Sequence, residues 1–519
     1  MLLCSLFINL GKPALYYEEP RRALIALEMM YNDNLLVPTE LGEYYYKKPP
    51  VYNWLLIGSY KIFGGASEFA VRFFSAFSHW LIGLMIFTFS RRWLGQGVAL
   101  LAACLWWVSI DLYFYFSMFG EIDLFYSAIT FAAIMLLYPL GKAKRYALMF
   151  GLVYGLHAIG FLTKGLPSIA FAGISTLVYL AMNRKWKMLI SWQHFLGIFI
   201  FLALTGGYFF AYSQFNSLDG FVRDLWSQSA DRTAAGHKIG DFFIHLVKFP
   251  LIIFKDLLPG SLMFLFLIPA RVRRKVLRDP FLKFCLFMAL ANLALYWISP
   301  GNRSRYIYML YPFLLIPSAF AFWHFWDRIK WANSALNVAI WILPGAAFIA
   351  CLSGPWINNF LPAEAIIEWQ FDPTILCLVF AGVFGIILLL QGRSSQYRVW
   401  FLIFSMICGR LFFDLGVIPI RASTGMHEVN KQNALEIAEI TKDKDLHLWQ
   451  FKNEGWFSLA MTFYIERERK QVLDIVYEAN TTDYFIGFDH EFDAYQVQIH
   501  KGFNWREFKY YLVTFEAAQ

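Results

Sequence analysis

"YYEEPRRALIALEMMYNDNLLVPTELGEYYYKKPPVYNW", residues 16–54, puts two glutamates, two arginines and a Lys-Lys-Pro-Pro turn into a chain that is otherwise apolar. The 519 residues are 58% hydrophobic and 16% charged, with a mean hydropathy of +0.47. Soluble proteins carry about 25% charged residues. Apolar runs of about 20 residues, the length that crosses a bilayer as a helix, recur along the first 420 residues. They lack the alternation of an outer-membrane barrel, so the sequence predicts a polytopic helical membrane protein.

The apolar runs predict an all-α membrane domain of about 13 transmembrane helices over residues 1–421. The opening stretch then forms the first loop, between the first two spans. The predicted spans are 1–14, 69–90, 97–116, 122–140, 146–162, 166–182, 194–213, 249–268, 281–298, 306–325, 335–352, 374–390 and 399–419.

Basic residues predict the orientation of these spans. Seventeen Lys and Arg fall in alternate short loops, all on one side of this topology, and the positive-inside rule makes that side cytoplasmic. The first loop, residues 214–248, residues 299–305 and the C-terminal tail then face outward.

Several outward cations oppose this bias and need an explanation. An anionic ligand at the outer interface, such as a lipid phosphate, is one explanation. Attraction to lipid headgroups is the other, since a long basic side chain can reach the interface from within the bilayer. The residues concerned are Arg21, Arg22, Lys47, Lys48, Lys164, Arg223, Arg232, Lys238, Arg303 and Arg305.

The two glutamates of the first loop begin a predicted helix. Pro20 suits the first helical position, and Glu18 and Glu19 lie where the helix dipole favours a carboxylate. Ala23, Leu27 and Met30 share one face, which predicts an amphipathic helix in the membrane interface. A catalytic carboxylate and a simple helix cap both explain these acids.

The tail predicts a second domain of different character over residues 422–519. Residues 1–420 contain 34 Lys and Arg against 21 Asp and Glu, whereas residues 421–519 contain 11 against 16. A helical stretch at 428–443 precedes six candidate strands, LHLWQF, MTFYIE, QVLDIVY, DYFIGF, AYQVQIH and YYLVTFE. We therefore expect a small soluble α/β or α+β domain facing outward.

Several motifs resemble those of GT-C glycosyltransferases related to aminoarabinose transferase and the protein O-mannosyltransferases. The similarity covers about residues 10–325, with the motifs in the order of that family. They are Glu18-Glu19-Pro20-Arg21-Arg22-Ala23, Lys47-Lys48-Pro49-Pro50, GGASEFAVRFFSAF, FGEIDLF, GFLTKGLPS, FPLIIFKDLLPGSL and RSRYIYMLYPFLLIP.

The resemblance implies transfer of a sugar from a polyprenyl-phosphate carrier on the outer face of a bacterial inner membrane, with the soluble domain in the periplasm. The acceptor would be a lipid A-like glycolipid, a glycan or a protein. Glu18 falls at the position of the catalytic aspartate, Glu19 is the alternative base, and Asp123 would organise the site or merely cap its helix. The expected phosphate-binding residues are Arg21, Lys48, Lys164, Arg232, Arg305 and Tyr306.

Three departures from the family pattern matter. Glu18 is longer than the aspartate it replaces, Arg22 stands for a tyrosine, and Lys47 stands for a glutamate that helps to bind a metal in some relatives. A protonated lysine has no lone pair for a metal, so we expect no metal and no cofactor. The six cysteines also lack metal-binding spacing.

Two functions of other classes compete with this hypothesis. A secondary transporter would carry ionisable residues near the middle of the bilayer, and few are found there. A lipid-binding envelope assembly protein would use the outward domain for partners. Nothing in the sequence indicates nucleic-acid binding.

Overall fold

The computed structural model describes residues 1–230, 239–356, 372–393, 397–449, 457–478, 480–505 and 508–516. Its helices are α1 (Leu2–Ser5), α2 (Glu19–Tyr31), α3 (Val51–Ile62), α4 (Glu68–Leu94), α5 (Gln96–Trp107), α6 (Ile110–Phe114), α7 (Ile122–Lys142), α8 (Tyr146–Lys164), α9 (Pro167–Met182), α10 (Trp192–Tyr212), α11 (Asp219–Ala230), α12 (Ile239–Asp256), α13 (Ala270–Arg278), α14 (Pro280–Trp297), α15 (Tyr311–Phe325), α16 (Lys330–Ser353), α17 (Pro373–Arg393), α18 (Arg398–Phe412), α19 (Ile418–Thr424), α20 (Met426–Ile440) and α21 (Leu459–Arg469). The strands are β1 (Thr39–Glu40), β2 (Glu43–Tyr44), β3 (Leu446–Trp449), β4 (Ile475–Val476), β5 (Tyr484–Phe488), β6 (Val497–Trp505) and β7 (Phe508–Phe515).

Apolar helices dominate the chain, and the predicted polytopic fold is confirmed. In the described residues, nine helices are long and apolar enough to cross a membrane, or eleven if two bent pairs each form one span. Helix α4 shows how such a span begins and ends. Its N-terminus is capped by the Ser67 hydroxyl, which accepts from the Ala70 N–H, and it stops at Gly95 with φ 83°.

The predicted number of 13 spans is not confirmed, for reasons visible at three positions. The predicted span 1–14 contains only the four-residue α1, followed by turns. The predicted span 97–116 is bent by 49° between α5 and α6. The predicted span 249–268 is broken by 119° between Asp256 and Gly260, where Pro259 cannot donate a helical hydrogen bond.

The tail folds into a sheet covered by helices, as predicted. The strand order is β4-β3-β5-β7-β6, with β3 parallel to β4 and β5, and with β7 antiparallel to β5 and β6. Helix α20 corresponds to the predicted helix at 428–443. The predicted domain boundary at 421/422 falls inside α19 and stays a prediction.

One predicted strand is wrong. MTFYIE, residues 461–466, lies in helix α21, whose first turn is capped by the Ser458 hydroxyl accepting from the Met461 N–H. Every residue from Ala460 to Glu466 is buried. Because the helix is covered on all sides, its sequence shows no apolar stripe, and its aromatic and branched residues were typical of a strand.

Helix α2 is also more buried than predicted. Leu24, Ile25, Ala26 and Leu27 are all fully buried, so the predicted amphipathic helix in the membrane interface is wrong. Instead α2 packs against α3 on one side and against α21 of the C-terminal domain on the other. The first loop therefore shares one hydrophobic core with the soluble domain.

Candidate active site

The two adjacent glutamates of the first loop have different environments, and Glu19 is the buried one. Its carboxylate accepts from Arg72 Nε at 2.7 Å and Nη2 at 3.0 Å, and from the Gly120 N–H at 2.9 Å. Arg72 also donates to the backbone carbonyls of Leu10, Pro13 and Ala14. This network fixes the start of α2 against α4 and leaves Glu19 little capacity to accept a proton from a substrate.

Glu18 is the accessible glutamate. Its side chain is 35% exposed and accepts from Arg21 Nη1 at 2.6 Å, while Arg21 Nε donates to Glu40 at 2.8 Å. Glu18 occupies the N-cap position of α2, but its carboxylate makes no capping hydrogen bond there. Tyr17, just before it, has φ 64°, a left-handed conformation that is uncommon outside glycine. Through this turn the side chain of Glu18 faces solvent, whereas that of Glu19, the next residue, faces the interior.

A buried ion-pair cluster formed by Glu121, Asp123, Lys164 and Arg305 brings three distant segments together. Lys164, at the end of α8, pairs with Asp123 in the first turn of α7. Arg305 Nη1 lies 3.4 Å from Glu121 Oε1, and Arg305 Nε lies 3.7 Å from Asp123 Oδ2. No side-chain cap is recorded at the start of α7, and the carboxylate of Asp123 pairs with Lys164 instead.

The environment of this cluster shifts the pKa of one of its acids, Glu121. Burial and the nearby Asp123 carboxylate raise the pKa of Glu121, and the guanidinium of Arg305 partly opposes this shift. Burying two carboxylates side by side costs free energy, which pairing with Lys164 and Arg305 offsets and which protonation of one acid would relieve.

Aromatic rings connect this cluster to the first loop. Lys164 Nζ lies 4.7 Å from the centroid of the Tyr306 ring, and the Arg305 guanidinium lies 5.8 Å from that of Tyr17. Arg303 Nη1 donates to the Tyr17 hydroxyl at 2.6 Å. The segment Ser304–Leu310 therefore lies beside the residue that precedes Glu18.

Two buried guanidinium groups retain donor capacity. Arg22 Nη1 donates to the Tyr45 hydroxyl at 3.0 Å. Within the part of the chain that the structure describes, neither Arg22 Nε nor Arg305 Nε finds a hydrogen-bond acceptor. Arg305 Nε faces Asp123 at 3.7 Å, beyond hydrogen-bond distance. Buried donors that make no hydrogen bond are costly, so these two N–H groups suit an anionic ligand or bound water.

The remaining predicted residues are Lys48, which the structure describes, and Arg232, which it does not. Lys48 is half-buried at the turn that precedes α3. Arg232 and Lys238 lie outside the described residues, so their predicted roles stay predictions. Among the described residues, no group of three or more His, Cys, Asp or Glu is arranged to hold a metal. The expectation of a metal-independent reaction is not tested by this.

Sequence reasoning missed Arg72 and assigned no role to Glu121, which lies beside Asp123 in FGEIDLF, although both residues are in quoted motifs. A charged residue within an apolar run signals a buried partner, because an unpaired charge in the interior is very costly. That signal was present for Arg72 in EFAVRFFSAF, but it could not identify Glu19, 53 residues away, as the partner.

Comparison with known proteins supports the resemblance drawn from the motifs. A family model described as dolichyl-phosphate-mannose-protein mannosyltransferase matches residues 47–207. The undecaprenyl phosphate-alpha-4-amino-4-deoxy-L-arabinose arabinosyl transferase of Serratia proteamaculans is 28% identical over 401 residues, covering 74% of this chain and 69% of that protein. The protein of the same description from Pectobacterium atrosepticum is 28% identical over 406 residues, covering 74% and 68%.

Solved structures share the fold over nearly the whole chain. The crystal structure of ArnT from Cupriavidus metallidurans bound to undecaprenyl phosphate superposes with a TM-score of 0.69 at 18% identity, covering 98% of this chain and 96% of that one. The apo structure of the same protein gives 0.67 at 19% identity. The membrane domain and the C-terminal sheet thus belong to one common architecture.

Proposed function

We propose that the chain is a glycosyltransferase of the GT-C type, similar to the aminoarabinose transferases, and that it transfers a sugar from a polyprenyl-phosphate-linked donor by inverting displacement with Glu18 as the base. The observation that carries this proposal is the position of one accessible carboxylate beside a cluster of cations from separate segments. Glu18 contacts Arg21, and Tyr17 connects it to Arg303 and Arg305.

The proposed reaction joins an acceptor oxygen to the anomeric carbon of the donor sugar. The acceptor hydroxyl attacks that carbon, its proton passes to Glu18, and the bond from the carbon to the phosphate oxygen breaks. The bonding electrons leave with the polyprenyl phosphate, which is already a good leaving group. Catalysis then depends on the base and on stabilising the charge of the phosphate.

Accessibility favours Glu18 over Glu19 as the base. A general base must reach the proton it removes, at about 2.6–3.2 Å between heavy atoms or through one water. The carboxylate of Glu19 is fully buried and already accepts from Arg72 and Gly120. Glu18 is 35% exposed, and among the described residues its side chain pairs with Arg21 alone.

The cations would hold the donor phosphate. Arg305 is the best supported, because its buried Nε makes no hydrogen bond within the described residues and lies 3.7 Å from its ion-pair partner, Asp123 Oδ2. Lys164 and Tyr306 lie beside it, with Asp123 and Glu121 fixing their positions. Arg21 and Lys48 would approach from the first loop, and Arg232, which follows α11 in the sequence, would join them.

Loop charge indicates the orientation of the site, and the C-terminal domain indicates where an acceptor would bind. The loops rich in Lys and Arg lie at the helix ends opposite Glu18, which supports a periplasmic site in the inner membrane. The C-terminal domain shares a core with the first loop, so it is near any acceptor that reaches Glu18. We propose a glycolipid such as lipid A, a glycan or a protein as the acceptor.

The test is release of polyprenyl phosphate from a lipid-linked sugar by the purified protein in detergent or vesicles. A transporter or a lipid-binding assembly protein would leave the carrier–sugar bond intact. Mass spectrometry of envelope glycolipids and glycoproteins from a deletion strain would then identify the sugar and the acceptor. Donor cleavage that is absent with every lipid-linked sugar tried, in protein shown to be folded, would contradict the proposal.

A further inference from the structure

A cavity of about 380 Å³ lies between four helices at the end of the bundle opposite the candidate active site. It is formed by the start of α5, the end of α15 and the starts of α16 and α18. Helix α15 follows directly on the segment that carries Arg305, and Trp323 lies in its last turn. At 1.5 Å per residue, about 20 Å of helix separates the cavity from the candidate site.

The lining combines indoles with one cation and two amides. Trp323, Trp326 and Trp400 supply broad amphipathic surfaces, and Arg398, Asn333 and Asn337 supply the polar groups. Trp rings are enriched where lipid headgroups meet the acyl region, because one edge is polar and the rest is apolar. The volume falls in the range of about 300–1,000 Å³ that is usual for ligand sites.

Within the part of the chain that the structure describes, the hydrogen bonds of Arg398 in the cavity are long. Its Nη1 lies 3.4 Å from Asn337 Oδ1, and its Nε lies 3.3 Å from the backbone oxygen of Gln391. Charge-assisted bonds to a phosphate are shorter, at about 2.7–2.9 Å, and roughly twice as strong as neutral ones. A phosphate could therefore displace the Asn337 contact and form two parallel bonds with the guanidinium.

The charge of the surroundings identifies the class of ligand. No Asp or Glu is among the described residues that line the cavity, so nothing there matches the amine of a zwitterionic lipid. The loops at the ends of these helices carry the exposed basic residues Arg91, Arg92, Arg271, Arg328, Lys330 and Arg393, against one exposed acid, Asp327, next to Trp326. Basic pockets between transmembrane helices at this kind of interface bind anionic head groups.

We propose that this cavity is a binding site for one anionic phospholipid, separate from the site of sugar transfer. Its phosphate would bind Arg398 and the two asparagine amides, and the upper parts of its acyl chains would pack on the indoles.

Native mass spectrometry of the full-length protein tests this with phosphatidylglycerol, phosphatidylethanolamine and a polyprenyl phosphate as separate probes. We expect one retained phosphatidylglycerol per protein, and binding weakened about tenfold or more in Arg398→Gln. Arg398→Lys keeps the charge but not the two-point geometry. Its affinity for phosphatidylglycerol should lie between that of the parent protein and that of Arg398→Gln. Arg393→Gln removes an exposed arginine of the same end and should bind like the parent protein.

Several results would overturn the proposal. If Arg393→Gln and Arg398→Gln lose phosphatidylglycerol binding equally, the lipid is attracted to basic residues in general and does not occupy a specific site. Equal retention of phosphatidylethanolamine, preferential retention of the polyprenyl phosphate, or displacement of the lipid by millimolar inorganic phosphate would each contradict an anionic phospholipid. Unchanged binding in folded Arg398→Gln would exclude the cavity itself.

Discussion

Glu19 and Arg72 form a two-point ion pair in the protein interior, with Nε–Oε2 and Nη2–Oε1 distances of 2.7 and 3.0 Å. Neither side chain is more than 1% exposed. The pair connects the first residue of α2 to α4 and so holds the first loop in register. Glu18, the preceding residue, is 35% exposed. Two adjacent glutamates thereby have separate tasks, one in structure and one available for chemistry.

Glu19→Gln should destabilise the protein, because it leaves the Arg72 guanidinium buried without its counter-charge. Removing one partner of a buried pair typically costs about 3–5 kcal/mol. We expect a lower midpoint of thermal unfolding in detergent, together with reduced yield. Glu18→Gln is the matched control, since an exposed pair contributes only about 0–1 kcal/mol. Equal stability of the two variants would contradict the structural role of Glu19.

Glu18→Gln should nearly abolish sugar transfer while donor binding and folding persist. The change keeps the size of the side chain and removes the proton acceptor, and a positioned general base contributes about 10²–10⁴ in rate. Turnover and donor affinity should be measured on the same preparation. Glu18→Asp should keep part of the activity, because the related enzymes have the shorter acid here.

The reverse pattern would reassign the base. If Glu19→Gln folds normally and is inactive while Glu18→Gln turns over, the base is Glu19. If both variants retain full turnover, the general base lies outside this loop.

Lys48→Ala and Arg232→Ala should each weaken donor binding without unfolding the protein. A hydrogen bond to a charged group contributes about 1.5–3 kcal/mol, so the donor Kd should rise about 10- to 150-fold. Lys61→Ala, which removes an exposed lysine in the last turn of α3, is the control. Unchanged affinity in both test variants would mean that the phosphate binds elsewhere.

Activity should survive chelation with EDTA. Lys47 replaces the glutamate that helps to bind a metal in some relatives, and a protonated lysine cannot coordinate one. Turnover should be measured before and after treatment, and again after Zn²⁺ or Mg²⁺ is added back. If turnover is lost in EDTA and recovers when metal is added back, this prediction is refuted.

Tyr464→Phe should loosen the contact between the C-terminal domain and the first loop. The Tyr464 hydroxyl accepts from the Leu15 N–H at 2.8 Å and donates to Glu68 Oε1 at 3.2 Å. Its removal leaves a buried N–H unpaired, which costs about 1–3 kcal/mol. We expect a lower unfolding midpoint and reduced turnover. The control is Tyr495→Phe, at a ring that is 44% exposed, and it should change neither the unfolding midpoint nor turnover. Equal effects of Tyr464→Phe and Tyr495→Phe would contradict a coupling between the C-terminal domain and the first loop.

Hydropathy and motif order predicted the membrane domain and most of the tail. These two signals come from residues that are near one another in sequence, so they can be recognised without the tertiary structure. Helix α20 and five of the six candidate strands follow local patterns of apolar residues. The errors have one physical origin. Helices α2 and α21 pack against each other, and a helix buried on most sides loses the polar face by which amphipathic patterns are recognised.

By itself the sequence determined that this chain has many membrane-spanning helices, and it predicted that the basic loops lie on one side and the charged loop of Glu18 on the other. Only the tertiary structure decided that Glu19 is paired with Arg72, and that Asp123, Lys164 and Arg305 meet although as many as 182 positions separate them. Hydropathy is a property of each segment, whereas the partner of a buried charge is selected by the packing of distant helices. A low-dielectric interior requires that some partner be found, but it does not encode in the local sequence which one.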